Sequence, residues 1–206
     1  MARLTLRLVL LSGTLGALAA APAAAQEQNI DRTVPARPGG TLRVDMRPGG
    51  SLHIEGWDRD EVRVEGTLGG RDWRDEVVTV ERTSEGVELR VSMRREMNST
   101  STDNEFQVHV PRRYSVRLSS GGGELAVHDV RGDFDGMTGG GAIRLDDVSG
   151  TARLTTGGGA IHVSDSQLDG EVSTGGGNVE FRNVSGNIQG RTGGGSITRD
   201  DAPVSG

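Results

Sequence analysis

Apolar and polar residues alternate along this chain with a period of two, in short runs. Leu42/Val44/Met46, Leu52/Ile54, Val62/Val64, Val87/Leu89/Val91 and Phe106/Val108/Val110 each follow that rhythm. Successive side chains of a strand point to opposite faces, so each run is expected as a half-buried β-strand. Val77 to Glu81 is β-branched but alternates less cleanly. Turn signals such as Pro48-Gly49-Gly50 separate the runs. Arg94 to Glu105, with Asn98-Ser99-Thr100-Ser101-Thr102 inside it, is polar and reads as a mobile loop.

Further on, the alternation becomes a strict repeat. Glycine triplets begin at Gly121, Gly139, Gly157, Gly175 and Gly193, always 18 residues apart. Repeats near this length mark solenoids, in which each unit is stabilised mainly by its neighbours. After each triplet comes an alternating pair: Leu125/Val127, Ile143/Leu145, Ile161/Val163, Val179/Phe181. A third apolar site follows at Val130, Val148 and Val184, with Ser166 the exception. A second pair compensates in size, Phe134 with Gly136, Ala152 with Leu154, Gly170 with Val172 and Ile188 with Gly190. One large and one small residue per unit implies a narrow interior of constant volume.

The triplets read as corners, where glycine permits positive φ and close backbone approach. Ser120, Thr138, Thr156, Thr174 and Thr192 precede them as a hydroxyl ladder. Asp129, Asp147, Asp165, Asn183 and Asp201 make a second ladder at another corner, where short polar side chains cap turns. The fold expected is all-β: a solenoid with 18-residue coils, preceded by an irregular β-rich cap. Residues 26–38 read as a flexible linker, 39–118 as the irregular part and 119–206 as the repeats. Tyr114, Val116 and Leu118 lie 18 residues before Gly132, Phe134 and Gly136, so the two parts are expected to be continuous.

Arg3 and Arg7 precede a mostly apolar stretch from Leu8 to Ala21, and Ala23-Ala24-Ala25 follows Pro22. This is the pattern of a signal peptide over residues 1–25, with Gln26 the first mature residue. Export to the periplasm, cell surface or medium is therefore expected, with no integral span once the signal is cleaved. Losing Arg3 and Arg7 takes the net charge from −6 to −8. So acidic a chain is ill-suited to nucleic acid, which demands clustered positive charge. The absence of cysteine excludes disulfides and a lipid-bearing cysteine. Every basic residue is arginine, which excludes Schiff-base lysines and phosphate loops ending in Gly-Lys. Aromatics at 3% leave a thin core that must gain order by repetition.

Ser51-Leu52-His53-Ile54-Glu55-Gly56-Trp57, then Glu61-Val62-Arg63-Val64, opens a longer pattern. Val108-His109-Val110-Pro111, Tyr114-Ser115-Val116-Arg117-Leu118 and the Gly-rich repeats continue it. In this order and spacing the chain resembles the bacterial putative-adhesin family of β-strand-repeat proteins, catalogued as a domain of unknown function. The likeness spans nearly all of the chain beyond the signal. It implies a right-handed β-helix-like fold at the cell envelope and no catalytic residues. The family pattern often has Gly-Ser-Gly-Asp where this chain has Gly-Gly-Gly followed by Ala, Glu or Asn.

Candidate chemistry is sparse. His128, Asp146 and Ser164 occupy one column in adjacent units, but a triad needs histidine between serine and carboxylate, and here Asp146 is central. Solvated His128–Asp146 and Arg182–Asp200 pairs are expected instead. Asp146/Asp147 and Asp200/Asp201 are sequence neighbours that should diverge, unlike the carboxylates flanking a glycosidic bond. The calcium-solenoid pattern needs Asp where this chain has Ala126, Arg144, His162, Glu180 and Thr198. His53, His109, His128 and His162 fall in unrelated columns, which suggests no metal cluster. No cofactor is expected. Trp57 should be packed and Trp73 more exposed, which makes Trp73 the candidate contact for a partner.

The reading that follows is a non-enzymatic, exported envelope protein, structural or adhesin-like. Its partner would be an unidentified envelope polysaccharide or protein, and end-to-end self-association is possible through open solenoid ends, unless Pro203 blocks edge pairing. An enzyme acting on envelope polysaccharide and an accessory module in envelope-stress sensing are the alternatives.

Overall fold

The computed structural model describes residues 28–95 and 102–200. The expected signal peptide, Asp201 and Pro203 lie outside the described residues. Sixteen strands join in one sheet: β1 (Gln28–Pro35), β2 (Thr41–Met46), β3 (Ser51–Trp57), β4 (Glu61–Gly70), β5 (Glu76–Arg82), β6 (Gly86–Met93), β7 (Thr102–Pro111), β8 (Ser115–Ser120), β9 (Leu125–His128), β10 (Arg131–Thr138), β11 (Ile143–Asp146), β12 (Ser149–Thr156), β13 (Ile161–Thr174), β14 (Val179–Ser185), β15 (Ile188–Thr192) and β16 (Ile197–Asp200). The one helical turn among the described residues is a 3-10 turn at Trp73–Asp75. No described helix is long and apolar enough to cross a membrane.

The order runs β1-β4-β7-β3-β9-β11-β13 and then β13-β12-β10-β8-β2-β6-β5, so β13 belongs to both halves. Its end strands, β1 and β5, touch one another, and the sheet nearly closes. From β8 onward, neighbouring strands are parallel and offset by 18 residues: Val116, Phe134, Ala152, Gly170 and Ile188 are successive partners. The apolar residue of every alternating pair points into the interior, and Ile143, Leu145, Ile161, Val163 and Val179 are almost wholly buried. The size compensation is visible in atoms. A β-carbon at Gly190 would lie 2.8 Å from Val179 and 2.9 Å from the Phe181 ring, so the glycine makes room for the large residue opposite. Where Ser166 replaces valine, Leu168 fills the core from the column otherwise held by Gly132, Gly150 and Gly186.

Three expectations need correction. Residues 28–35 of the expected linker form β1, antiparallel to β4 from Gln28↔Leu68 to Pro35↔Glu61. The polar run expected as a loop is strand from Thr102, because β7 pairs with both β4 and β3. The corners also divide their labour differently. Asp129, Asp147, Asp165 and Asn183 have φ of 53°, 49°, 48° and 51°, so the left-handed bend falls on the Asp/Asn column. The triplets are needed chiefly for close approach, since a β-carbon at Gly141, Gly159 or Gly177 would overlap the carbonyl oxygen of the third glycine in the triplet before. The threonine ladder fastens the same junctions. Thr156, Thr174 and Thr192 each donate to the carbonyl of Gly141, Gly159 or Gly177 at 2.7 Å.

The N-terminal half repeats this plan out of sequence order. β2 and β3 stack beneath β8 and β9, with Leu42↔Val116 and Leu52↔Leu125, and Gly50 N–H donates to Gly122 O at 3.1 Å. β6 and β7 stack beneath β2 and β3 in turn. The later layer of the chain therefore lies outermost, and antiparallel β4, β1 and β5 finish that end.

Candidate functional site

The parallel strands β7, β3, β9, β11, β13 and β14 bury their aliphatic residues on one face and set the alternate residues outward in straight columns. One column reads Gln107, His53, Ala126, Arg144, His162, Glu180; the other reads His109, Glu55, His128, Asp146, Ser164, Arg182. Neighbours along a column are separated by one strand spacing, about 4.8 Å. All four histidines of the chain therefore stand on the outer face of the same sheet, in two columns rather than the unrelated positions expected. Parity could have revealed this for His53 and His109, because each lies between two inward residues, Leu52/Ile54 and Val108/Val110. Pairing β3 to β9 could not be read, since it joins residues 73 apart.

Each imidazole meets a carboxylate. His128 Nδ1 lies 2.9 Å from Asp146 Oδ2, and Ser164 Oγ donates to Asp146 Oδ1 at 2.7 Å. Asp146 is thus the middle member, and no imidazole stands between hydroxyl and acid to move a proton. His162 Nδ1 lies 3.0 Å from Glu180 Oε2, whose other oxygen accepts from Arg182 at 2.6 Å. Arg182, and after it His162, holds the Glu180 carboxyl below its ordinary range. Arg182 turns to Glu180 instead of the expected Asp200. His109 sits 3.7 Å from Glu55 and 3.9 Å from Glu65, and its ring stacks on Trp57 at 5.0 Å. His53 is 4.0 Å from Glu124, which also pairs with Arg144. On the neighbouring strands Arg63 grips Asp31 with two hydrogen bonds, of 3.1 and 2.9 Å, and this pairing lowers the Asp31 carboxyl.

Among the described residues no three His, Asp or Glu side chains converge tightly enough to hold a metal ion. Within the Asp/Asn corner column, Asp129 pairs with Arg112, and Asn183 donates to Asp165 at 2.7 Å. Asp146 and Asp147 diverge, one on the sheet face and one at the left-handed corner. Trp57 is half-buried between the His109 ring and the Arg59 guanidinium, and its Nε1 donates to Glu61 O at 2.8 Å. Trp73 is also partly buried, packed against the core with Arg74 over its ring at 4.6 Å, and so less available than expected. A polar pair escaped sequence reasoning altogether. Glu76 and Asn104 are buried and joined by a 2.6 Å hydrogen bond, with Glu76 Oε1 and Asn104 Oδ1 left unpartnered. Burial pushes the Glu76 carboxyl up, against the Asn104 hydrogen bond, and nearby Asp72 adds to the rise.

No protein-family model and no curated protein matches this chain. Solved structures do. A "putative cell adhesion protein" from Clostridium sporogenes superposes with a TM-score of 0.58 at 18% identity, covering 84% of this chain and 99% of that one. The two share an all-β fold. A "putative adhesin" from Parabacteroides distasonis has a TM-score of 0.35 at 13% identity, covering 84% and 97%. A "putative lipid binding protein" from the same species has 0.31 at 12%, covering 82% and 96%.

Proposed function

We propose that this chain is an exported, non-enzymatic interaction protein of the cell envelope, which presents flat columns of side chains to a partner. The observation that carries the reading is the unbroken 18-residue register from β8 to β16. It leaves no insertion from which a catalytic cleft could be built, and it repeats the same outward positions strand after strand. The Asp-centred order of His128, Asp146 and Ser164 supports the same conclusion. So does the likeness in fold to the Clostridium protein, which is named for cell adhesion. In this reading residues 1–25 are the cleaved signal, and the repeats wind as a right-handed solenoid continuous with the β-rich part before them, the hand that parallel crossover connections adopt. The part of Trp73 left exposed is the contact for an envelope polysaccharide or protein.

Co-sedimentation of the purified protein with envelope fractions of its own cells tests the proposal. Saturable binding, weakened by Trp73→Ala, is the expected result. Absence of binding to every fraction, or turnover of an envelope polysaccharide abolished by a single Asp substitution, would overturn it.

A further inference from the structure

Charge is unevenly distributed between the two halves of the sheet. On the face that carries the histidines, Glu55, Glu65, Glu105, Glu124, Asp146 and Glu180 point outward against Arg63, Arg144 and Arg182, and Asp31 and Asp200 extend the acidic strip at its two ends. On the other half the outward column mixes Arg43, Arg117 and Arg153 with Glu88, Asp135 and Glu171, and no histidine stands there. Carboxylates spread along a strip, with no three acid or imidazole groups converging on one point, match an extended polycation better than a single metal ion.

We infer that this face docks a basic, arginine- or lysine-rich polypeptide segment, and that its four histidines release that partner on acidification. The inference rests on the interaction-protein reading and names the partner class. Imidazoles ordinarily change charge between about pH 5 and 8, where carboxylates stay ionised. Protonation therefore adds positive charge inside the strip without removing any negative charge. Every imidazole is flanked by charged groups from the strands beside it. His109 is faced by Glu55 and Glu65, with Arg63 its cross-strand neighbour; His128 by Glu55 and Asp146; His162 by Glu180 and Arg144; His53 by Glu124. A protonated imidazole competes with the partner's own cations for these carboxylates.

The test is fluorescence anisotropy of a labelled oligo-arginine peptide with the purified protein at low salt. Affinity is expected to fall about tenfold or more from about pH 7.5 to about pH 5.5. Joint replacement of His53, His109, His128 and His162 by glutamine should abolish that dependence, with circular dichroism unchanged. Glu55→Gln with Glu124→Gln should weaken binding at neutral pH, whereas Glu88→Gln with Asp135→Asn on the other half should not. Absence of peptide binding, affinity independent of pH, a pH response that survives loss of the histidines, or equal losses from either half would each overturn the inference. If the protein still sediments with envelope material in any of those cases, only the partner class is wrong. If it sediments with no envelope fraction, the functional reading itself fails.

Discussion

Within one triplet, adjacent glycines do unequal jobs. A β-carbon at Gly159 would collide with the Gly141 carbonyl, whereas at Gly158 it would meet nothing within 4 Å. Gly159→Ala should therefore destabilise the protein by about 2–3 kcal/mol, as overpacking against fixed backbone does. Gly158→Ala should be neutral or stabilise by up to about 1 kcal/mol, because its φ is not left-handed and the unfolded chain loses freedom. Urea unfolding of the two variants separates these outcomes. Glu76 provides a second residue-scale test. Its folded pKa is raised above 4.5 by burial. The folded state thus holds the proton more tightly than the unfolded state. The resulting stability is present in full below the unfolded value and lost as pH rises through the folded one. Glu76→Gln should be more stable than the parent above that window and should flatten this part of the pH dependence, measured by thermal unfolding across the acid range.

At the scale of elements, the threonine ladder is the junction between one repeat and the next. Thr156 Oγ1 donates to Gly141 O at 2.7 Å and accepts from Gly159 N–H at 3.3 Å, with the side chain fully buried. Thr156→Val keeps the shape and strands both partners, so a loss of about 1–3 kcal/mol is expected in chemical denaturation. The repeats were legible because inward residues, hydroxyls and glycines recur every 18 positions, and strand pairing obeys that spacing literally. The N-terminal layers were less so. Leu42-Arg43-Val44-Asp45-Met46 and Val116-Arg117-Leu118 share one column, but the corner after Met46 is a residue longer than the one after Ser120, and β6 and β7 are interposed in sequence. Register across such an interruption depends on the packed whole. For the same reason the face that gathers all four histidines could not be assembled from parity alone.

On the scale of the whole molecule, the two ends of the stack differ. The N-terminal end is covered by antiparallel β1, β4 and β5, while among the described residues β15 and β16 each pair on one side only. Ile197 is 49% exposed at this edge. The next inward position is Arg199, not an aliphatic residue, and its guanidinium lies 4.8 Å over Phe181 and donates to Ile188 O at 3.1 Å. An inward-pointing charge at an open edge discourages strand addition. Arg199→Leu should promote end-to-end association, seen as a concentration-dependent rise in mass by analytical ultracentrifugation, while the parent protein stays at constant mass.

The placement of β2 and β3 between β7 and β9 on one side and β6 and β8 on the other has a consequence in time. A chain delivered amino end first presents β2 and β3 early, yet their neighbours arrive only with residues 86–93, 102–111, 115–120 and 125–128. Until then these strands have two bare edges. Growth by simple addition of repeats can begin only after this cluster of distant segments has closed, so assembly is expected to have a slow, non-local start followed by rapid local zippering towards the carboxyl end.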